Sequence, residues 1–412
     1  MSEGTKKTIP ASKILEEIQK NKYVFIESVV VEGDLDLRKL DLQIRHVERT
    51  GSQKEIGLTD DVKIVQSEIS IINSTFQGEL DFSNTIFGGD IYFGEVTFEK
   101  DVLFSGVIFS KDSNFRESTF GRGAYFNEST FVKKAYFSGV NFNGGAYFKG
   151  AIFRERADFS YADFSGDALF NRGFFSEDAF FDGAFFSEDA LFNQGFFSEY
   201  ASFDGVFFSE DILFNGAKFE GDVLTFRDAT FILAKSQEEA CRRAKNVLSK
   251  AGNREEEEYH FYREMEAKRK QKGIYETDNS MFEKYPTLRA ENLAIVNRFL
   301  WYDIVEHIFL QKIFGYGVHP KRLMISWGAI VLVFGVLYLY GRAITETMDW
   351  LDNFKVSFAT AIAPGYIATI INPGGGGYRL DPAYQWVAMI ETIVGTFLWA
   401  GFIATFAKKY MR

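Results

Sequence analysis

From Phe76 onward the large apolar positions recur on a fixed beat. Phe stands at 82, 87, 93, 98, 104 and 109, and the series runs on to Phe219 with gaps that alternate between six and five residues. That makes 27 Phe in 144 residues with an 11-residue period, and Phe226 and Phe231 extend it after one gap of seven. Two residues before each Phe stands a mostly small or β-branched residue, as at Ala135, Val140, Ala146, Ala151 and Ala157, with Ser, Gly, Asn, Asp and Glu between. A helix repeats every 3.6 residues and a strand every two, so neither fits. Short extended sides joined by turns do fit: each side sends one large and one small residue inward, and turn formers take the corners. Four sides of five or six residues make a coil of 22. Residues 76–231 then predict about seven coils, each rising ~4.8 Å, in a rod roughly 34 Å long. No Pro occurs in that stretch, as expected where most N–H groups pair with a neighbouring coil.

The flanks follow other patterns. In the N-terminal region 1–75, the β-rich runs Tyr23–Val31 and Val62–Asn73 predict a cap over the open first coil. In a charged linker, 232–290, Ser236–Lys272 is dense in Glu, Lys, Arg and Ala and predicts one or two exposed helices broken near Gly252, serving as a spacer or an oligomer contact. Its acidic Glu255–Glu258 and basic Lys268–Lys272 runs sit at opposite ends of the second helix, matching the dipole. Within 291–320, Leu293–Phe314 mixes aromatic and charged residues and predicts an interfacial helix at the inner leaflet, with burial against a partner subunit as the competing reading.

Within 321–412, two long apolar runs, 323–341 and 386–407, each predict a helix able to cross a hydrocarbon core of about 30 Å; the second carries one acid, Glu391. Between them Trp350–Ala361 is amphipathic and too short to cross, and it leads into Ile362-Ala-Pro-Gly-Tyr-Ile367 and the glycines 374–377. The order span, short helix, loop, span predicts a re-entrant segment over 350–377, with non-helical backbone at membrane depth buried in protein or lining water. Lys312, His319, Lys321 and Arg322 precede the first run, and Lys408, Lys409 and Arg412 follow the second. These charges predict a multi-pass protein of the cell membrane with both termini in the cytoplasm.

The Phe repeat resembles the pentapeptide-repeat family, which implies a right-handed quadrilateral β-helix. Residues from about 315 to 412 resemble the two-transmembrane potassium-channel-like pore family, on Ser357-Phe-Ala-Thr360, the Gly365–Tyr366 pair and Ile390-Glu-Thr-Ile-Val-Gly395. The fold class expected is therefore a multidomain membrane protein: a β-helix solenoid, a helical linker and a two-span α-helical pore domain with a re-entrant loop. The second resemblance implies a homotetramer in the lipid bilayer with permeant ions as its ligands. It implies a filter at Thr360, Ile362, Ala363, Pro364, Gly365, Tyr366 and Ile367, and pore-lining or gating roles for Glu391, Gly395 and Phe402. Potassium filters read Thr-Val-Gly-Tyr-Gly. Here Ala363 replaces the hydroxyl, Pro364 removes an N–H, and Ile367 stands where glycine takes a positive φ. The expectation is a cation-conducting channel with a non-standard filter; weak, altered or anion selectivity stays open. Glu391 lines the pore, braces the loop, or makes a hydrogen bond between helices. The alternative function is a membrane-anchored scaffold whose acidic β-helix binds a cytoplasmic partner and whose pore does not conduct.

Composition changes the picture little. The 412 residues carry a net charge of −11, which argues against nucleic-acid partners. Residues 76–231 hold 25 Asp/Glu and 12 Lys/Arg. A solvated acidic surface explains this; mimicry of duplex DNA, found in some pentapeptide-repeat proteins, is the sharper alternative. One Cys, Cys241, excludes an internal disulfide and a Cys-cluster metal site, and His46, His260, His307 and His319 show no ligand spacing. Glu177–Asp178 and Glu188–Asp189 recur as corner residues, and Gly374–Gly377 lacks the Lys-Ser/Thr of a phosphate loop. No catalysis, cofactor or metal is expected.

Overall fold

From Phe76 to Phe219 two sides of each coil are five residues long and two are six, and the reason lies at the corners. The computed structural model describes residues 6–272, 320–341, 350–362 and 381–410, in two units, Met1–Ala267 and Lys268–Arg412. In the first unit Ile91–Gly94, Thr97–Phe98, Val102–Leu103 and Ile108–Phe109 are successive sides of one coil, on what we call the first, second, third and fourth faces. Ser113–Asn114 then lies parallel to Ile91–Tyr92 on the first face. The four sheets so built hold 9, 10, 8 and 9 strands in that order, parallel except where Ile44–His46 pairs antiparallel with Asp61–Val65 at the end of the fourth.

A five-residue side ends in a left-handed residue every 11 positions: Asn84 (φ 56°), Glu95 (φ 55°), Gly106 (φ 68°), Glu117 (φ 56°). The extra residue of a six lies at the other two corners. There a side-chain oxygen often caps the corner of the next coil: Asp101 Oδ1 accepts from the Gly123 N–H at 2.9 Å, and Asp189 Oδ1 from the Asp211 N–H at 3.2 Å. These bonds give corner acids a structural task in satisfying backbone donors.

Inside, the Phe rings stack in columns. Phe148 lies between Phe126 (4.8 Å, 1°) and Phe170 (4.9 Å, 3°) and meets Phe137 and Phe159 edge-on at 5.4 and 5.3 Å. Ala146, Ala151 and Ala157 are fully buried beside the rings, because the rings leave room only for a methyl. Each buried Phe contributes on the order of 1.5–3 kcal/mol of transfer free energy.

The coils begin upstream of the Phe series. Lys7–Pro10 pairs in parallel with Val29–Glu32, whose Val30 and Val31 pair with Thr75 and Phe76. Aliphatic residues such as Val24, Val31, Ile69 and Ile71 fill the interior in place of Phe. Helix α1 (Ala11–Gln19) buries Ala11, Ile14 and Ile18 against this end, and a short α2 (Gly51–Glu55) starts with a Thr50–Gln53 capping box.

At the other end the charged helices are not the exposed spacer expected from their composition. α3 (Ala234–Ala251) buries Ala240, Cys241, Ala244 and Leu248 and packs on the last coil. Gly252, left-handed at φ 75°, turns the chain into α4 (Arg254–Lys272). The Tyr259 hydroxyl accepts from the Asp228 N–H at 2.9 Å, Arg263 donates to the Ala229 carbonyl at 2.8 Å, and His260 meets Phe226 edge-on. The stripe at 240, 244 and 248 is helical in spacing but narrow and small, so the surrounding charges hide it from a compositional reading. Burial pushes the Cys241 thiol up to about 12. Burial, with Arg263 and Arg227 nearby, holds His260 down to about 3, and neither ring nitrogen has a hydrogen-bond partner.

The second unit holds α5 (Pro320–Tyr340), α6 (Trp350–Ile362) and α7 (Pro382–Tyr410), each packed on the other two. Lys321–Tyr340 and Ala383–Ala407, 20 and 25 residues with mean hydropathy 2.1 and 1.8, are long and apolar enough to cross a bilayer at about 1.5 Å per residue. Ile325, Leu332, Ile393 and Phe397 face outward. The segment Leu293–Phe314 and the linker from 273 to 290 lie outside the described residues.

Candidate functional site

The three helices described in the second unit meet around one carboxyl group. α6 buries Val356, Ser357, Thr360 and Ala361, the i, i+1, i+4, i+5 positions of one helical face. Glu391, from the middle of α7, is completely buried against that face. Tyr338 of α5 donates its hydroxyl to Glu391 Oε2 at 2.6 Å, and Ser357 of α6 hydrogen-bonds Oε1. Ser357 also lies 2.9 Å from the Val331 carbonyl of α5; its one hydrogen serves one of these acceptors at a time. A single acid thus ties α5, α6 and α7, and hydroxyl partners are what make its burial in an apolar unit tolerable.

At the next residue of α7, and one turn beyond at Gly395, a second layer forms. The Thr392 hydroxyl reaches the Thr360 carbonyl at 3.2 Å and the Ala388 carbonyl at 2.9 Å. Gly395 lets α7 touch the end of α6: a Cβ there falls 2.6 Å from the Ala361 carbonyl oxygen. Small residues permit this close approach of membrane helices. Below it Ile362 and Phe402 pack with Leu323, Trp327, Ala361 and Leu398, and Phe402 stacks on Trp399 at 5.4 Å.

Of the residues singled out from sequence, Thr360, Ile362, Gly395 and Phe402 therefore gather where α6 ends, with Glu391 one layer away. Ala363, Pro364, Gly365, Tyr366 and Ile367 lie outside the described residues. Sequence reasoning passed over Tyr338, Thr392 and the bonding role of Ser357. Hydroxyl residues within apolar runs are the signal that finds them, because they bond across helices in membranes. Among the described residues no group of three or more His, Cys, Asp or Glu is placed to hold a metal ion.

The fold and the site together define a β-solenoid followed by helices, two of them long and apolar. Residues 67–108, 104–152 and 132–173 match the family described as pentapeptide repeats (9 copies), so this stretch is a pentapeptide-repeat domain. Searches of the curated proteins and of the solved structures find no match to the chain.

Proposed function

We propose that this chain is one subunit of an oligomeric ion channel, with α5, α6, α7 and the segment 363–380 as its pore module and the solenoid in the cytoplasm. The observation that carries the reading is α6 itself. It has 13 residues, roughly 20 Å of helix, too short to cross a bilayer. Yet hydroxyl and carboxyl bonds clamp it between two helices that are long enough. An anchor needs no such helix; a pore loop needs a rigid support for backbone that enters the membrane. The residues after α6, Ala363 to Ile367, then form the constriction and α7 lines the inner cavity near Phe402. The segment 362–380 has no carboxylate and one charge, Arg379, so backbone carbonyls are the ion ligands. Cations are the permeant species, and four copies surround the axis.

The test is planar-bilayer recording of the reconstituted chain. Discrete single-channel steps are expected, and Tyr366→Cys or Phe402→Cys channels are expected to be blocked by a charged thiol reagent. The buried Cys241 keeps the background silent. Absence of steps at high protein density overturns the proposal in favour of a non-conducting, membrane-anchored scaffold.

A further inference from the structure

The outward side chains of the solenoid are not alike on its four faces. On the second face they read Thr97, Thr119, Asn141 and Asp163 along the stack, and only its late rungs, Phe185 and Phe207, are apolar. On the fourth face they read Ile86, Ile108, Thr130, Ile152, Phe174, Phe196 before Lys218 ends the column. Phe174 is 38% exposed and stacks on Phe196 at 4.9 Å. A continuous apolar column on a soluble surface marks an interface.

The corner leading out of this face carries charge of opposite sign at its two ends. Toward the N-terminus stand Lys111–Asp112 and Lys133–Lys134; in the middle, Arg154, Glu155 and Arg156; toward the C-terminus, Glu177, Asp178 and Glu199, so that the charge runs from the Lys133–Lys134 pair to the Glu177–Asp178 pair. Turning one copy over about an axis through Ile152, in the plane of the face and across the rod, brings the same corner of both copies together in reverse order. Counting one coil per 22 residues, Lys111 then faces Glu199, the pair Lys133–Lys134 faces Glu177–Asp178, and Arg154 faces Glu155. Isologous pairing of this kind is what a twofold dimer requires.

The third face is apolar as well, with Leu103, Tyr125, Tyr147, Leu169, Leu191 and Leu213 outward. Its corner toward the second face has Asp101, Asp167, Asp189 and Asp211 against two bases, Lys100 and Arg122, so two copies repel there. Of these two apolar faces the fourth is the self-complementary one. The five rungs from Ile108 to Phe196 are symmetric about Ile152, and at about 4.8 Å by roughly 18 Å of side and corner they give ~430 Å² a copy, ~860 Å² in all, the size of a weak, transient interface.

We infer that the fourth face of the solenoid is an interface between two copies of this chain, packed antiparallel about a twofold axis at Ile152. This pairing needs no conduction and stands apart from the pore reading. The test is oxidative cross-linking of the full chain in liposomes, with the buried Cys241 as the only native thiol. Ile152→Cys is expected to yield covalent dimer and Thr119→Cys, on the second face, to stay at background. Lys133→Glu with Lys134→Glu is expected to slow Ile152→Cys cross-linking about tenfold through like-charge contact. Adding Glu177→Lys and Asp178→Lys restores it. Far-UV circular dichroism checks that each variant keeps its β-content. Equal cross-linking at 119 and 152, or no rescue by the double reversal, overturns the inference.

Discussion

Phe148→Ala tests the account of the solenoid most sharply when set beside Tyr147→Ala. The two aromatic residues are adjacent. Phe148 points inward, is fully buried, and contacts six other rings. Tyr147 points outward, half-buried, and stacks on Tyr125 at 4.7 Å. Removing a buried Phe side chain costs about 3–5 kcal/mol in transfer and cavity terms. Rings on both sides hold the site open, since each sits in its own column, so collapse recovers little. Removing Tyr147 forfeits one partly exposed stack, about 1 kcal/mol. Amide hydrogen exchange in the purified chain reads the difference locally. The Phe126 N–H, bonded to the Tyr147 carbonyl at 2.7 Å, and the Phe148 N–H, bonded to the Leu169 carbonyl at 2.8 Å, report opening of those coils. Protection there is expected to fall by at least 100-fold in Phe148→Ala, the equivalent of about 3 kcal/mol, and by about tenfold or less in Tyr147→Ala. Equal losses in the two variants would refute the division into inward and outward positions.

Three further outcomes are expected. Glu391→Leu leaves the Tyr338 and Ser357 hydroxyls without their carboxylate and lowers the stability of the helical unit by about 1–3 kcal/mol, while Glu391→Gln loses less; thermal unfolding in detergent checks the order, and a leucine variant as stable as the native chain contradicts it. Gly395→Val drives a branched side chain against the Ala361 carbonyl and costs roughly 1–3 kcal/mol by forcing α6 and α7 apart, read by the same assay; an unchanged transition contradicts the close approach. His260, held near 3 in the fold against 6.5 in the unfolded chain, contributes full stability above pH 6.5. Below that the unfolded chain takes up a proton the fold refuses, so stability falls by up to about 1.4 kcal/mol per pH unit until pH 3. His260→Phe is expected to flatten that stretch of a urea-midpoint-against-pH curve, and an unaltered slope contradicts the assignment.

Much of the solenoid was legible in the chain because its interior repeats one residue at one spacing: Phe every five or six positions admits few geometries. The first coils were less legible. Val24, Val31, Ile69 and Ile71 do the same work as Phe, but their spacing is interrupted by α1, and aliphatic residues are common in any strand. The closing helices misled for a different reason: charge dominates the composition of 234–272, whereas packing depends on a few small side chains at 240, 244 and 248. In the helical unit Glu391 stood out as an acid in an apolar run. Its partners did not, since Tyr338 lies 53 residues away in sequence and a hydroxyl in an apolar helix signals a bond across helices without naming its partner. Gly395 was legible as a glycine in the second span; that it admits the Ala361 carbonyl is a tertiary fact.

The central claim is that several copies of the helical unit surround a water-filled path with residues 363–367 at its narrowest point. Single-particle imaging of the full chain in lipid nanodiscs tests it most directly. The account predicts a symmetric ring, four subunits around an axis, with the Gly365–Tyr366 backbone facing that axis at membrane depth. A lone protomer, or a ring whose 363–367 segments lie outside the bilayer, contradicts it.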